Sequence, residues 1–264
     1  MLNQKEWERV NDIIASTHSI KSTTMMRTAF LQKLMQLINF DFSDFNIGLI
    51  KNESNPVLVD PVIVSKFDKK FEEDFIYQYE SIYAPMDYVK WLFLSPDSLV
   101  YRESDLVNDG IRKKSPFYLN YLKPFDLVNI AGIVLASGGH FVGAVTLYKS
   151  EKNGDFSDKD IYILHQFLPH LQTKFELEEE SMQRNKKSVS SLLREQYALT
   201  NREIEIIGFV FHGYSNIEVA NNLSIAPNTV KKHLYNIFYK LGVTNRVQLV
   251  KFLYENQLAD FWSL

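Results

Sequence analysis

The sequence predicts an α+β protein in two parts: a mixed α/β N-terminal unit on an antiparallel sheet, then an all-helical C-terminal unit of four helices. Three observations carry this. The apolar period changes from helical to alternating after residue 38 and returns to helical near residue 160. Ser137-Gly138-Gly139 separates two apolar runs, "LVNIAGIVLA" and "HFVGAVTLYKS", with the residues that a tight antiparallel hairpin needs. From residue 199 onward the chain shows helix-capping patterns and helical spacing only.

Taken in order, residues 3–38 are expected as two helices. "NQKEWERVNDIIASTH" carries Trp7, Val10 and Ile14 at helical spacing, and "STTMMRTAFLQKLMQLI" follows a Ser/Lys turn. "FDFSDFNIGLI" and "VLVDPVIVSK" are expected as strands. Residues 68–92 return to helix, with Phe71, Phe75, Tyr79 and Tyr83 on one stripe, and "DSLVYRES" forms a third strand before the hairpin supplies two more. After "GDFSDKD", with Ser157 as N-cap, a helix runs toward "FELEEE" and is expected to kink at Pro169. "SMQRNKKSVSSLLREQYA", residues 181–198, is polar with four basic residues and one acid, and reads as a linker. The organisation is therefore 1–180, linker 181–198, and 199–264.

Composition bounds the chemistry. With 264 residues and 45% apolar content the chain can bury a sizeable core. There is no cysteine, which removes disulfides, thiol chemistry and cysteine-based metal sites. "MLNQKEWERV" lacks a signal-peptide apolar region, and runs such as "IAGIVLA" are far shorter than a bilayer span, so a cytoplasmic protein without a membrane partner is expected. His18, His140, His165, His170, His212 and His233 show no metal-ligand spacing, and "SGGH" reads as a turn, since neither G-x-S-x-G nor a phosphate loop accompanies it. No enzyme, metal or cofactor is implied.

The C-terminal stretch is the most informative. Thr200-Asn201-Arg202-Glu203 and Ser215-Asn216-Ile217-Glu218 are capping boxes fifteen residues apart, so two helices start there, with Gly213 closing the first. Pro227 opens a third, whose core stripe is Val230, Leu234, Ile237 and Leu241; Gly242 stops it, and "NRVQLVKFLYEN" is a fourth. Opposite that stripe lie Asn228, Lys231, Lys232, Tyr235 and Tyr239. A helix that follows a short turn and shows donors and a flat aromatic outward suits a DNA major groove about 12 Å wide. The net charge of the whole chain is −3, so any basic face is local.

Residues 199–249 closely resemble the LuxR-type (GerE-type) helix-turn-helix of bacterial transcription regulators. "LTNRE", "GYSN", "EVA", "TVKKH", "NIFYKLGV" and a following Arg appear in family order and spacing. The resemblance implies double-stranded DNA as partner, Thr229, Lys231, Lys232 and Tyr235 on DNA-contacting positions, with Asn228 beside them, Lys240 near the backbone, and the fourth helix on a homodimer surface. Two departures are Ala226 in place of the usual Ser N-cap and Phe211 in place of a small residue. The stretch 199–264 has six Lys/Arg against five Asp/Glu, a net +1, so one copy should bind weakly and a dimer is expected.

The hairpin and "FSDKDIYILHQFLPHL" look like the GAF/PAS-like sensor halves found in front of LuxR-type domains, over roughly residues 40–175; this implies a small-molecule effector bound between sheet and helices. A phosphoreceiver, with alternating parallel β/α order, does not fit. Candidate ligand-binding residues are Phe75, Tyr79, Tyr83 and Asp87, four apart, followed by Trp91. Packing of the aromatics as core is the alternative, but a carboxylate on such a stripe needs a partner or water. The stripe partly resembles the W-x3-Y…D-P pattern of acyl-homoserine-lactone sensors. Phe75 stands in place of its Trp and Tyr88 follows Asp87 in place of Pro, so that ligand is not carried over. The competing reading of this half is a ligand-free platform for dimerisation or protein docking.

Overall fold

The computed structural model describes residues 2–50 and 56–262. The chain divides into two compact units, Met1–Leu177 and Glu178–Leu264.

In the first unit, α1 (Gln4–Ser19) and α2 (Thr23–Leu34) are capped by Asn3 and Ser22, whose side chains accept from the Glu6 and Met25 amides. Val10, Ile13 and Thr17 are the buried positions of α1; the expected Ile14 sits at the margin and Trp7 is 36% exposed. The five strands β1 (Phe42–Ile50), β2 (Pro56–Ser65), β3 (Leu99–Arg102), β4 (Asn129–Ser137) and β5 (His140–Lys149) form one antiparallel sheet in the order β2-β1-β5-β4-β3. The turn between β4 and β5 is the two-residue Gly138-Gly139, both at positive φ (57° and 81°), which pairs Ser137 with His140.

Every residue of β4 is buried because both faces of the sheet are covered. Strand alternation sorts the side chains. Phe45, Ala131, Ile133, Leu135, Val145 and Leu147 pack against α1, α2 and α6 (Asp158–Tyr197). Phe42, Ile130, Val134, Ala144 and Tyr148 face the other way, onto a second core under α3 (Lys69–Gln78) and the segment that follows it. A register shift in the β1–β2 pair beside Asp60 (φ 51°) is held by buried Arg27, which donates to the carbonyls of Phe45 (2.9 Å) and Asp60 (2.6 Å) and to the Asp60 carboxylate.

The helix expected over 68–92 is cut short. After α3 the backbone widens into a π-turn at Tyr79–Tyr83, tightens to a 3-10 turn at Ala84–Met86, turns extended at Asp87 (ψ 108°) and resumes as a 3-10 turn at Lys90–Leu94. Pro85, which has no amide to donate, accounts for the break. Short helices α4 (Glu103–Leu106) and α5 (Asp109–Arg112) and a second π-turn, Tyr118–Leu122, lead back to β4. Ser157 and Asp160 exchange hydrogen bonds at the start of α6, as the N-cap reading expected. The helix runs through Pro169, and residues 181–197 of the stretch 181–198 read from composition as a linker are helical too: between Pro169 and Tyr197 there is no glycine or further proline, and Leu, Arg, Glu, Gln and Lys are good helix formers.

The second unit contains the end of α6 and α7 (Asn201–Phe211), α8 (Asn216–Asn222), α9 (Pro227–Leu241) and α10 (Arg246–Glu255). Both capping boxes form, at Thr200/Glu203 and Ser215/Glu218. Gly213 (φ 81°) closes α7 with the paired bonds Tyr214 N–H to Phe209 O and Gly213 N–H to Val210 O, both 3.0 Å. Val230, Leu234, Ile237 and Leu241 are all buried, as their spacing predicted. The α+β class read from the sequence is the class of the structure. No helix among the described residues is long and apolar enough to cross a membrane.

Candidate functional site

The first unit encloses a cavity of about 40 Å³ between the second core and the sheet. Its floor follows from strand register. Phe42, Asp44 and Asn46 alternate onto one face of β1, and Asp44 pairs directly across from Thr146 of β5, with Tyr148 two residues further. Asp44 is 4% exposed and receives hydrogen bonds from Asn46, Thr146 and Tyr148. Burial outweighs these donors and lifts its carboxyl to about 7. Gly132 stands on the neighbouring strand β4, where a Cβ would come within 3.0 Å of the Tyr101 ring, so glycine is what lets that ring lie against the sheet.

The roof comes from the irregular segment. Phe75, the last inward residue of α3, stacks on Tyr121 with centroids 4.7 Å apart and meets Phe42 edge-on at 4.8 Å. Tyr79, in the π-turn, donates its hydroxyl to Asp87 Oδ2 at 3.0 Å, and Asp87 Oδ1 accepts the Val89 amide at 3.0 Å. Burial raises the Asp87 carboxyl above its ordinary value despite these donors and nearby Lys90, and pushes the Tyr79 phenol well above its own.

Of the residues expected to bind ligand, Phe75, Tyr79 and Asp87 line the cavity. Tyr83 backs it, stacked on Tyr121 at 5.2 Å. Trp91 does not take part: it is 56% exposed, while Val89, Leu92 and Phe93 turn inward. The break at Pro85 and the extended Asp87 reset the rotation that a spacing of four assumes. Sequence reasoning missed Asp44, Tyr101, Phe117, Tyr121, Thr146 and Tyr148. For Asp44 a signal existed, an acid flanked two residues away by Phe42 and Asn46 in the alternation of a predicted strand; for Phe117 and Tyr121, in a segment of short turns, periodicity gave none.

On α9, Asn228, Thr229, Lys231, Lys232 and Tyr235 are exposed, Tyr235 at 71%, on the side opposite the core stripe. Lys231 and Lys232 form no ion pair among the described residues. Ala226 gives the helix no side-chain cap; Pro227 has no amide to donate, and the Thr229 and Val230 amides both donate to the Ala226 carbonyl, at 2.9 and 3.2 Å. Lys240, expected near a DNA backbone, is turned inward and donates to Glu203 Oε2 (2.7 Å) and the Ala198 carbonyl (2.8 Å). Phe211, the second departure, packs beside Tyr254 (5.9 Å) and Trp262 (6.4 Å). His18 and His170 meet at 3.2 Å, a pairing the sequence did not suggest; the described residues contain no group of three or more potential metal ligands.

Four short helices with capping boxes, a glycine-closed turn and an exposed, cation-bearing third helix define a helix-turn-helix domain. Residues 197–253 match the family "Bacterial regulatory proteins, luxR family" (GerE), and the C-terminal unit carries a domain of that family. Over 62 residues the chain is 48% identical to the "Probable csgAB operon transcriptional regulatory protein" of Salmonella typhimurium, a match covering 24% of this chain and 29% of that protein. Over 53 residues it is 43% identical to the "HTH-type transcriptional regulator MalT" of Yersinia pestis, covering 20% of this chain and 6% of the relative. The chain thus spans less than a third of the curated relatives it matches. Among solved structures, Escherichia coli SdiA aligns over 96% of this chain and 98% of its own at 14% identity and a TM-score of 0.45. The VqsR LBD domain from Pseudomonas aeruginosa aligns over 66% and 96% at 12% identity and 0.47. No residue role follows from either.

Proposed function

We propose that the protein is a bacterial transcription regulator that binds double-stranded DNA as a homodimer through α9 and is controlled by a small molecule held in the N-terminal cavity. The observation that supports DNA binding most is the luxR-family domain with Asn228, Thr229, Lys231, Lys232 and Tyr235 presented together on one exposed helix face. Asn228 and Thr229 stand exposed in the first turn, where their side chains and the helix dipole favour a phosphate; Lys231, Lys232 and Tyr235 lie along the face that enters a groove. Lys240, tied to Glu203, fixes the angle of α9 at the end of the helix that stands near the DNA backbone. The domain's net charge of +1 makes a single half-site weak, so two copies share the work.

Small-molecule sensing is favoured over a ligand-free docking platform by one feature: two acids, buried Asp44 and half-buried Asp87, line a recess and are not paired across a solid core. Footprinting tests the DNA half of this reading. The full chain is expected to protect two half-sites about 10 bp apart, centre to centre, or a multiple of that. Equal affinity for one and two half-sites would contradict the dimeric arrangement.

A further inference from the structure

The acids buried in this protein are treated unequally. Four of them are at most 9% exposed: Asp41, Asp44, Glu103 and Glu203. Three have a cation of the chain beside them. Asp41 meets Lys66 at 3.0 Å, Glu103 meets Arg112 at 2.6 Å and Glu203 meets Lys240 at 2.7 Å. Asp44 has only neutral donors, and so has Asp87 across the cavity, whose two oxygens are held by the Val89 amide and the Tyr79 hydroxyl. Glu80 adds a third acid to the wall, and among the described residues that line it there is no Lys, Arg or His.

The two carboxylates share one space, since Asp44 and Asp87 line the same cavity with Tyr79, Tyr101 and Tyr121. A recess lined by acids and aromatic rings, with Lys90 outside its wall as the one cation acting on Asp87, has the composition that receives a positive charge from outside: carboxylates match it by Coulomb attraction and the ring quadrupoles add to this in a desolvated site. A hard divalent ion does not fit, because it asks for about six or more oxygen ligands, whereas most of this wall is aromatic or aliphatic. Size agrees with a small group. One water needs about 10–15 Å³ of such space, so about 40 Å³ takes a head of roughly three or four non-hydrogen atoms. Leu58, Tyr79, Glu80 and Phe93 also border an outer groove of about 550 Å³, into which a longer molecule would extend.

We propose that the effector is a small organic cation, an amine whose ammonium group sits between Asp44 and Asp87 among the rings of Tyr79, Tyr101 and Tyr121. This rests on the sensing role proposed above and names the chemistry of its ligand.

Thermal melts of the full chain at constant ionic strength test it, with n-propylamine, n-butylamine and ethanolamine as probes and 1-propanol and 1-butanol as neutral matches. The amines should raise Tm progressively over the millimolar range and the alcohols should not. Asp44→Asn and Asp87→Asn should each remove most of the shift, while Asp74→Asn, on the exposed face of α3, should keep it. Should either cavity variant not fold, the amine-against-alcohol comparison on the unmodified chain still decides. Alcohols that stabilise as well as the amines, or an amine shift that survives both substitutions, would overturn the inference. Stabilisation by a neutral amide such as N-butylacetamide, with none by the amines, would overturn the cationic ligand and leave sensing standing. No shift with any probe, together with native mass spectra free of a co-purified small molecule, would remove both.

Discussion

Lys240 Nζ lies 2.7 Å from Glu203 Oε2, tying the last turn of α9 to the first turn of α7. Glu203 already closes the capping box with Thr200 and is 2% exposed, so the ammonium is its counter-ion in a nearly dry place. Burial alone would raise the Glu203 carboxyl; Lys240 and the Thr200 donors reverse this and hold it below its ordinary value. A depressed carboxyl stabilises the fold above its unfolded pKa, and that contribution fades as pH falls through the folded one. Lys240→Met should therefore lower the stability of the C-terminal unit at pH 7 by about 1–3 kcal/mol, with the deficit shrinking below pH 4.5. Urea unfolding at pH 7 and pH 3.5 checks this; an equal deficit at both would assign the loss to packing.

The exposed face of α9 makes a different prediction. Replacing Lys231, Lys232 and Tyr235 one at a time by Ala should leave folding unchanged, since none is buried. Where one of them reads a base edge, binding to the specific duplex should weaken by about 1–3 kcal/mol with relaxed preference at that position; a phosphate contact should weaken all duplexes alike. Titrations on specific and scrambled DNA separate these, and a triple variant with unaltered affinity for both would dismiss α9 as the reading helix.

Asp44 gives the pH prediction. Its carboxyl is raised to about 7 in the fold against 3.8 as a reference, so between those values the folded chain binds more protons than the unfolded one and stability falls as pH rises. The groups facing it, Tyr79, Tyr101, Tyr121 and Tyr148, stay neutral there because burial pushes all four up, which leaves Asp87 as the other titrating neighbour. Asp44→Asn should become more stable than the parent as pH climbs from 4 to 8, by roughly 4 kcal/mol at the upper bound. Parallel stability curves for the two proteins over that range would show that the fold does not raise the Asp44 carboxyl.

The Glu103–Arg112 pair supplies a contrast. Glu103 is 0% exposed and also accepts from the Tyr88 hydroxyl at 2.7 Å. Arg112→Met strands a buried carboxylate and should cost about 3–5 kcal/mol, whereas Glu103→Leu combined with Arg112→Met should recover much of it. Denaturant titration of the double-mutant cycle gives the coupling directly.

How much of this was legible beforehand varied by region. The C-terminal unit could be read almost residue by residue, because local signals decide it: capping boxes at Thr200 and Ser215, glycines at 213 and 242, and an uninterrupted stripe from Val230 to Leu241. The partner of Lys240 was not legible, because its position on the helix edge says nothing about Glu203, thirty-seven residues earlier. The five strands and their hairpin were legible from alternation. Half of the cavity was not, since its wall is made where regular period fails. The stripe held from Phe75 to Asp87 and lost Trp91 once Pro85 broke the helix, and Asp44 acquires its meaning only from the strand beside it.

The π-turn at Tyr79–Tyr83 has a further consequence. A widened turn amounts to a single residue inserted into an ordinary α-helix, and each residue of such a helix advances the chain by about 1.5 Å. Deleting one residue from that turn would restore the regular ladder, keep Tyr83 and all that follows near their present rotation, and draw them along the axis by up to about 1.5 Å, which changes how Asp87 meets Tyr79. The shape of the recess is thus set by the length of the chain as well as by its side chains. Relatives differing here by one residue would hold differently shaped molecules on the same sheet, with every strand position unchanged.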